Sequence, residues 1–303
     1  MFDNGRWTAH YQSKEELTKA LTNSNDIRYC ETKQHTHTGQ HFDIFDLRNL
    51  KIIAHQNEAK LSINNSLTTF LKGNNHQNIS LPDLVFIRNY LSETLSVRPE
   101  KLIPNSLEFA VNVETPLPPF DYFSRFQSLR LNPFYYLKPP PGSKPLERYC
   151  TFQQYTVKCY DTAKWHGLTG RNLLKFETVF HRMEKIKAIT KNEVLNFEVL
   201  TRPEVLNALC GFVTLTYREI DKQLSMDAKQ FSPEEIDLLF AGSLPGYWKA
   251  QRQRNRNTAK RRRRIYRELK RETEQSHNEL FKDLDRRLTE EFESLINTPF
   301  NTI

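Results

Sequence analysis

The stretch "NSLEFAVNVE" (residues 105–114) alternates apolar and polar side chains. Successive strand residues point to opposite faces, so this period of two predicts a half-buried β-strand. Leu107, Phe109, Val111 and Val113 take one face, and Glu108, Ala110, Asn112 and Glu114 take the other. Two later stretches repeat the design. In "YTVKCY" (155–160), Tyr155, Val157 and Cys159 alternate with Thr156, Lys158 and Tyr160. In "NLLKFETVFH" (172–181), Leu174, Phe176 and Phe180 alternate with Lys175 and Glu177. If the three strands share a sheet, one face gathers Glu108, Asn112, Lys158, Tyr160, Lys175 and Glu177.

That set suits phosphoryl transfer. Carboxylates hold a hard divalent cation through oxygen, and the cation polarises a phosphate. A tyrosine hydroxyl can attack phosphorus and form a covalent intermediate, and lysines position the phosphate backbone. The plain alternative is an ordinary solvent face, since half-buried antiparallel strands usually carry polar residues outward.

Working outward, residues 13–22 read as a helix, and 27–33 and 42–53 as strands. "KLSINNSLTTFLKGNN" reads as a strand, then a short helix or turn stopped by glycine. Residues 81–97 space Leu81, Leu84, Leu91 and Leu95 as a helix does, with Pro82 in the first turn. The prolines of "TPLPPF" and "KPPPGSKP" make 115–145 a long connection. Residues 203–224 read as a buried helix. "SPEEIDLLF" (232–240) opens with a serine cap, a proline and acids, which mark a helix start. No Gly or Pro occurs between Gly246 and Pro299, which allows one helix of roughly 50 residues. Leu280, Leu284, Leu288, Phe292 and Leu295 line one side of it, a stripe expected to pack on the body of the protein. The reading is thus an α+β protein: a largely antiparallel sheet with flanking helices in a core over 1–245, and a long basic C-terminal helix over 246–303.

The 303 residues carry a net charge of +8. Residues 249–271 hold 12 Lys/Arg against one acid, Glu268, so the rest of the chain is slightly acidic. A charge run of this kind repels itself unless a polyanion neutralises it. Arg256, Lys260, Arg261, Arg262, Arg263, Arg264 and Arg267 are therefore expected to contact nucleic acid, mostly through phosphates. The four cysteines are scattered with no CxxC pair, which fits a reduced compartment and no zinc motif. Neither a secretory leader nor a run of about 18 apolar residues is present, so no membrane partner is expected. "HTHTGQH" (35–41) looks metal-like, but Thr36 is polar and no apolar run flanks it, so a polar loop is expected.

The order of these segments resembles the replication initiation proteins of filamentous single-stranded DNA phages, of the gene II and gene X type, which are related to rolling-circle plasmid initiators. The resemblance spans about residues 60–225. It rests on Ser66, Phe70, Gly73, Asn74 and Asn75, then Leu107–Glu108, then Tyr160, then Lys175–Phe176–Glu177. It implies a site-specific DNA nicking and joining enzyme of a bacterial cytoplasm. Tyr160 would be the nucleophile, assisted by Lys158 and Lys164. Glu108, Glu177 and Asn112 would hold Mg²⁺ or Mn²⁺, and Lys175 would contact DNA. The implied partners are single-stranded or supercoiled origin DNA and the host helicase and polymerase. The chain departs from the pattern at Thr162, where the family often has lysine, at Lys175 in place of arginine, and at Asn112 in place of Asp or Ser. Two other readings remain: a non-enzymatic DNA- or RNA-binding protein of the same fold, including an inactive relative, and a packaging protein built on the basic helix.

Overall fold

The structure, a computed structural model, describes residues 1–137, 146–222, 231–244 and 246–300; the side chains of 243, 249 and 271–278 also lie outside the description. The fold is α+β. Its strands are β1 (Phe2–His10), β2 (Ile27–Gln34), β3 (His41–Leu47), β4 (Leu50–His55), β5 (Lys60–Ser66), β6 (Ile103–Glu114), β7 (Phe126–Leu129), β8 (Asn132–Pro133), β9 (Tyr135–Tyr136), β10 (Glu147–Thr151), β11 (Tyr155–Asp161), β12 (Leu173–Phe180) and β13 (Ile220–Lys222). Its helices are α1 (Lys14–Thr22), α2 (Leu67–Lys72), α3 (Leu81–Thr94), α4 (Pro119–Phe123), α5 (Thr162–Trp165), α6 (Met183–Thr190), α7 (Phe197–Leu200), α8 (Pro203–Arg218), α9 (Pro233–Ser243), α10 (Tyr247–Arg254) and α11 (Arg256–Asn297).

Among the described residues, ten strands form one sheet in the order β2-β3-β4-β5-β1-β6-β12-β11-β10-β9. The pairings that build it are antiparallel. The three patterned strands are neighbours at its centre, β6-β12-β11. Their apolar faces are buried as the alternation requires: Leu107, Phe109 and Val111 on β6, Phe176 and Phe180 on β12, and Val157 and Cys159 on β11 are all fully buried. On β12 the opposite face is buried as well, including Lys175 and Glu177, so it is no solvent face.

The apolar side of the sheet is covered by α8 and by the second half of α11. The Phe109 and Phe292 rings stack at 5.6 Å and 12°, and Phe212 of α8 meets Tyr155 and Phe180. Leu284, Leu288 and Phe292 of the expected stripe are buried in the main core. The expected Ser232 cap holds, forming a capping box with Glu235, and Ser80 with Asp83 forms a second such box, each ahead of a first-turn proline.

Several expectations need correction. Phe2–His10 is a central strand that the sequence reading passed over. The expected strand over 42–53 is a hairpin, β3 and β4, because Arg48 adopts a left-handed φ of 58° between paired Leu47 and Leu50. The 115–145 connection contains α4 and three short strands. Two of its prolines sit where they cost little, Pro119 in the first turn of α4 and Pro133 in a two-residue strand; "KPPPGSKP" (138–145) lies outside the described residues. The long helix is interrupted at Asn255, whose backbone is extended and whose side chain accepts a bond from Thr258 N at 3.0 Å. Asparagine is among the best N-cap residues, so a helix starts afresh there. The expected helix over 203–224 ends at Arg218 and is followed by β13.

Candidate active site

Residues directly opposed in an antiparallel ladder face the same side. Asn112 pairs with Lys175, and Lys175 with Tyr160; Ala110 pairs with Glu177, and Glu177 with Lys158. The register therefore puts Asn112, Lys175 and Tyr160 in one row and Glu177 and Lys158 in the next. Glu108, two residues from Ala110, shares that face.

The third carboxylate comes from Asp3 on β1, the strand paired with β6 on its other side. One oxygen each of Asp3, Glu108 and Glu177 lies within 4.8 Å of the others. Tyr160 Oη donates to Glu177 Oε2 at 3.0 Å. Lys158 Nζ lies 3.0 Å from Glu177 Oε1 as an ion pair. The Lys158 ammonium is thus the partner of that buried oxygen. Lys175, almost completely buried, forms an ion pair with Asp3 Oδ2.

Three carboxylates against two ammonium groups leave the cluster one negative charge in excess, and the excess shows in its acid–base behaviour. Burial, then the neighbouring Glu177 charge, raises the Glu108 carboxyl to about 7. Burial, then Glu177, holds the Tyr160 phenol well above its ordinary value. Burial works against the Asp3 carboxylate and the Lys158 ammonium, yet their partners Lys175 and Glu177 outweigh it: Asp3 stays below its ordinary value and Lys158 above. Three clustered carboxylates with a surplus negative charge fit a hard divalent cation, which takes oxygen ligands.

The segment Ser66–Asn75 wraps the back of this cluster. Ser66 Oγ caps α2 by accepting from Thr69 N at 2.9 Å, and donates to Asp3 Oδ1 at 2.9 Å. Gly73 ends α2 with φ 74°, a left-handed cap that favours glycine. The Asn75 carbonyl then accepts from Lys175 Nζ and Asn112 Nδ2, both at 3.4 Å. Serine and glycine in this segment thus fix Asp3 and Lys175 in place.

The other expected site residues make contacts of their own. The Asn112 Oδ1 oxygen accepts from Thr162 Oγ1 at 3.1 Å, and its amide faces Asn78 Oδ1 and the carbonyls of Asn75 and Gln77. Asn112 is a clamp between strands and loop, and Asp3 is the third acid of the cluster. Thr162 is fully buried in that clamp, so a lysine would not fit there. Lys164 is exposed on α5, where its backbone N–H bonds to Asp161. His76 and His166, which the sequence reading passed over, bring their rings to 5.9 Å; burial, then His76, lowers the His166 pKa.

The basic residues gather elsewhere, on the elbow of α10 and α11. A cleft of about 730 Å³ is lined by Arg256, Lys260, Arg261, Arg263, Arg264 and Arg267 together with Trp248; Arg262 is exposed beside it. Among the described residues only Arg264 of this set has an ion pair, with Glu268 at 3.7 Å. A second small core of Leu238, Leu239 and Leu269 holds the elbow to α9. Gly242 is required there, since any side chain would run into the Tyr266 ring. Further along α11, Glu291 accepts from Asn78 at 2.8 Å, so the elbow lies about 40 Å along the helix from the clamp. His35–His41 form the tip of the β2–β3 hairpin, with His35 N bonded to Gln40 O at 2.8 Å; this is the expected polar loop. No helix among the described residues is long and apolar enough to cross a membrane.

No protein-family model and no curated protein matches the sequence. Among solved structures, the chain is similar to a rolling circle replication initiator protein from Geobacillus stearothermophilus, with a TM-score of 0.43 and 10% identity over 77% of this chain and 91% of that one. It also aligns weakly with the di-domain ARO/CYC BexL of the BE-7585A biosynthetic pathway, at a TM-score of 0.19 and 10% identity over 74% of this chain and 99% of that one.

Proposed function

We propose that this chain is a rolling-circle replication initiator that nicks and rejoins origin DNA through Tyr160. The observation that carries the reading is the Tyr160 hydroxyl bonded to Glu177 inside a cluster of three carboxylates. Asp3, Glu108 and Glu177 would hold Mg²⁺ or Mn²⁺, which when bound supplies Lewis-acid stabilisation of charge on the phosphate. Tyr160 starts protonated, because burial and the acids hold its pKa high. As Oη attacks phosphorus, Glu177 takes the phenolic proton. The Oη–P bond forms, the bond from phosphorus to the 3′ oxygen breaks, and that oxygen takes a proton from water. The products are a 5′-phosphotyrosine and a free 3′-hydroxyl, which a host polymerase can extend. Attack by a 3′-hydroxyl on the phosphotyrosine reverses the step and rejoins the strand. Lys158 at the open side of Glu177 meets the incoming phosphate, and the α10–α11 elbow grips duplex phosphates at a distance. The reading sets the reaction in the cytoplasm of a bacterial host.

The test is a supercoiled plasmid carrying the DNA that flanks this chain's own gene. With Mg²⁺ or Mn²⁺ the wild type converts it to open circles, and Tyr160→Phe leaves it supercoiled. Equal nicking by both proteins rules the reading out.

One observation favours a second reading. Lys175 already neutralises Asp3 in the buried cluster, as it would in a DNA-binding protein of the same fold that uses the acids only as an ion-pair network. Calorimetric titration with Mn²⁺ separates the two: heat of binding that Glu108→Gln abolishes supports the enzyme, and no binding supports the network.

A further inference from the structure

The site face does not end at Tyr160. The register carries it across two more strands to the edge of the sheet. Lys158 is opposed by Tyr149 on β10, and Tyr149 by Tyr135 on β9. Glu177, Lys158, Tyr149 and Tyr135 therefore form one row on one face, leading from the carboxylate cluster to the outermost strand. The parallel row, Lys175, Tyr160 and Glu147, ends in an acid.

The two rows differ in what they suit. Lys158 puts a cation midway along the first, and its side chain is 30% exposed. Beyond it, Tyr135 is 55% exposed, and its ring centroid lies 6.1 Å from that of Tyr149. A cleft of about 300 Å³ opens between them, lined by Asn132, Pro133 and Thr151 as well as the two tyrosines. The cross-strand contact with Tyr149 still leaves more than half of Tyr135 exposed, and packing within the chain gives no reason for that much aromatic surface in water. A nucleobase gives one, since every base presents a flat face to stack.

We propose that this row is a track for the single-stranded segment beside the scissile phosphate, with Lys158 on the phosphodiester backbone and Tyr149 and Tyr135 stacking its bases. The inference rests on the reading of Tyr160 as the site of cleavage. Strands in a sheet lie about 4.8 Å apart, so the tyrosines stand about 10 and 14 Å from the Glu177 strand. At about 3.4 Å per stacked nucleotide, and more when the strand is drawn out, they take bases roughly two to four nucleotides from the cut. The acidic end of the neighbouring row at Glu147 keeps the phosphates on the lysine side. The track is indifferent to which base it holds, and it selects single strands, because paired bases present no free face.

The probe is a fluorescein-labelled oligothymidylate of about ten nucleotides with 2-aminopurine at an internal position. Anisotropy reports total binding, and 2-aminopurine quenching reports stacking. The wild type and Tyr135→Phe should quench the bound probe, whereas Tyr135→Ala and Tyr149→Ala should each lose about ten-fold in affinity read by quenching, and the double variant should lose quenching altogether. Unchanged quenching in the double variant, or a bound probe that the wild type does not quench, overturns the track. Plasmid nicking by the same proteins keeps the two readings apart. Nicking with unaltered quenching removes the track and leaves Tyr160 its role. Tyrosine-dependent quenching without nicking leaves the track and removes the nickase.

Discussion

Tyr160 Oη donates a hydrogen bond of 3.0 Å to Glu177 Oε2, while Lys158 faces the other oxygen of the same carboxylate at 3.0 Å. One acid thus joins the hydroxyl of the proposed nucleophile to the cation that meets the phosphate. Glu177→Gln keeps the shape and removes the proton acceptor. Nicking should fall by about 10²–10⁴-fold, the usual contribution of a positioned base, with the far-ultraviolet circular dichroism unchanged. A loss of less than ten-fold would mean that the phenol proton leaves by another route.

Glu108 is held to about 7 by burial and the Glu177 charge, against an ordinary value of 4.5. The folded chain therefore keeps this proton more tightly than the unfolded chain does. That preference stabilises fully below about pH 4.5 and is lost as the pH rises to about 7. Metal-free protein should melt at lower temperature at about pH 8 than its other groups alone would give, and Glu108→Gln should raise its melting temperature there. Mn²⁺ should stabilise the wild type at that pH and leave Glu108→Gln unmoved. Differential scanning fluorimetry across pH, with and without the ion, checks both.

The Lys175–Asp3 pair lies in a region with little water to replace either partner. Lys175→Met strands a buried carboxylate, and the cost is about 3–5 kcal/mol in urea unfolding. Adding Asp3→Asn should recover most of that. Ser66→Ala removes both the α2 cap and a bond to Asp3, at about 1–2 kcal/mol.

At the α10–α11 elbow, the proposed interactions are with phosphate. Replacing Arg261, Arg263 and Arg264 with glutamine should weaken duplex binding alike for origin and unrelated sequences. The slope of log affinity against log salt should become shallower by about 0.9 for each phosphate that the variant no longer neutralises. Gly242→Leu, which forces Tyr266 aside, should weaken binding without removing a single charge.

Alternation made the centre of the fold legible. Glu108, Lys158, Tyr160, Lys175 and Glu177 lie on one face because a period of two admits no other arrangement once β6, β12 and β11 are neighbours. Asp3 was missed because "FDNGRWTAH" is only partly patterned. Trp7 and Ala9 alternate with Arg6 and Thr8, but Gly5 and a bulge between Phe2 and Gly5 break the rhythm where Asp3 lies. The only local hint was alternation resumed after the glycine. Asn112 shares the face and so reads as a ligand, and alternation cannot tell that its Nδ2 bonds into the Asn75–Asn78 loop while its Oδ1 accepts from Thr162. The break at Asn255 was hidden for a different reason: a run of basic residues reads as helix throughout, and only the Asn-x-x-Thr cap marks a new start. Tyr135 and Tyr149 lie in or beside a proline-rich stretch whose sequence reads as connection.

The central claim is a covalent bond from Tyr160 to DNA. The most direct measurement incubates the protein and Mn²⁺ with a 3′-end-labelled single strand that spans the cut, then denatures in detergent and maps the labelled peptide by mass spectrometry. The account predicts a detergent-resistant adduct on the peptide containing Tyr160, absent from Tyr160→Phe. Cleavage with no adduct, or an adduct on any other residue, contradicts it.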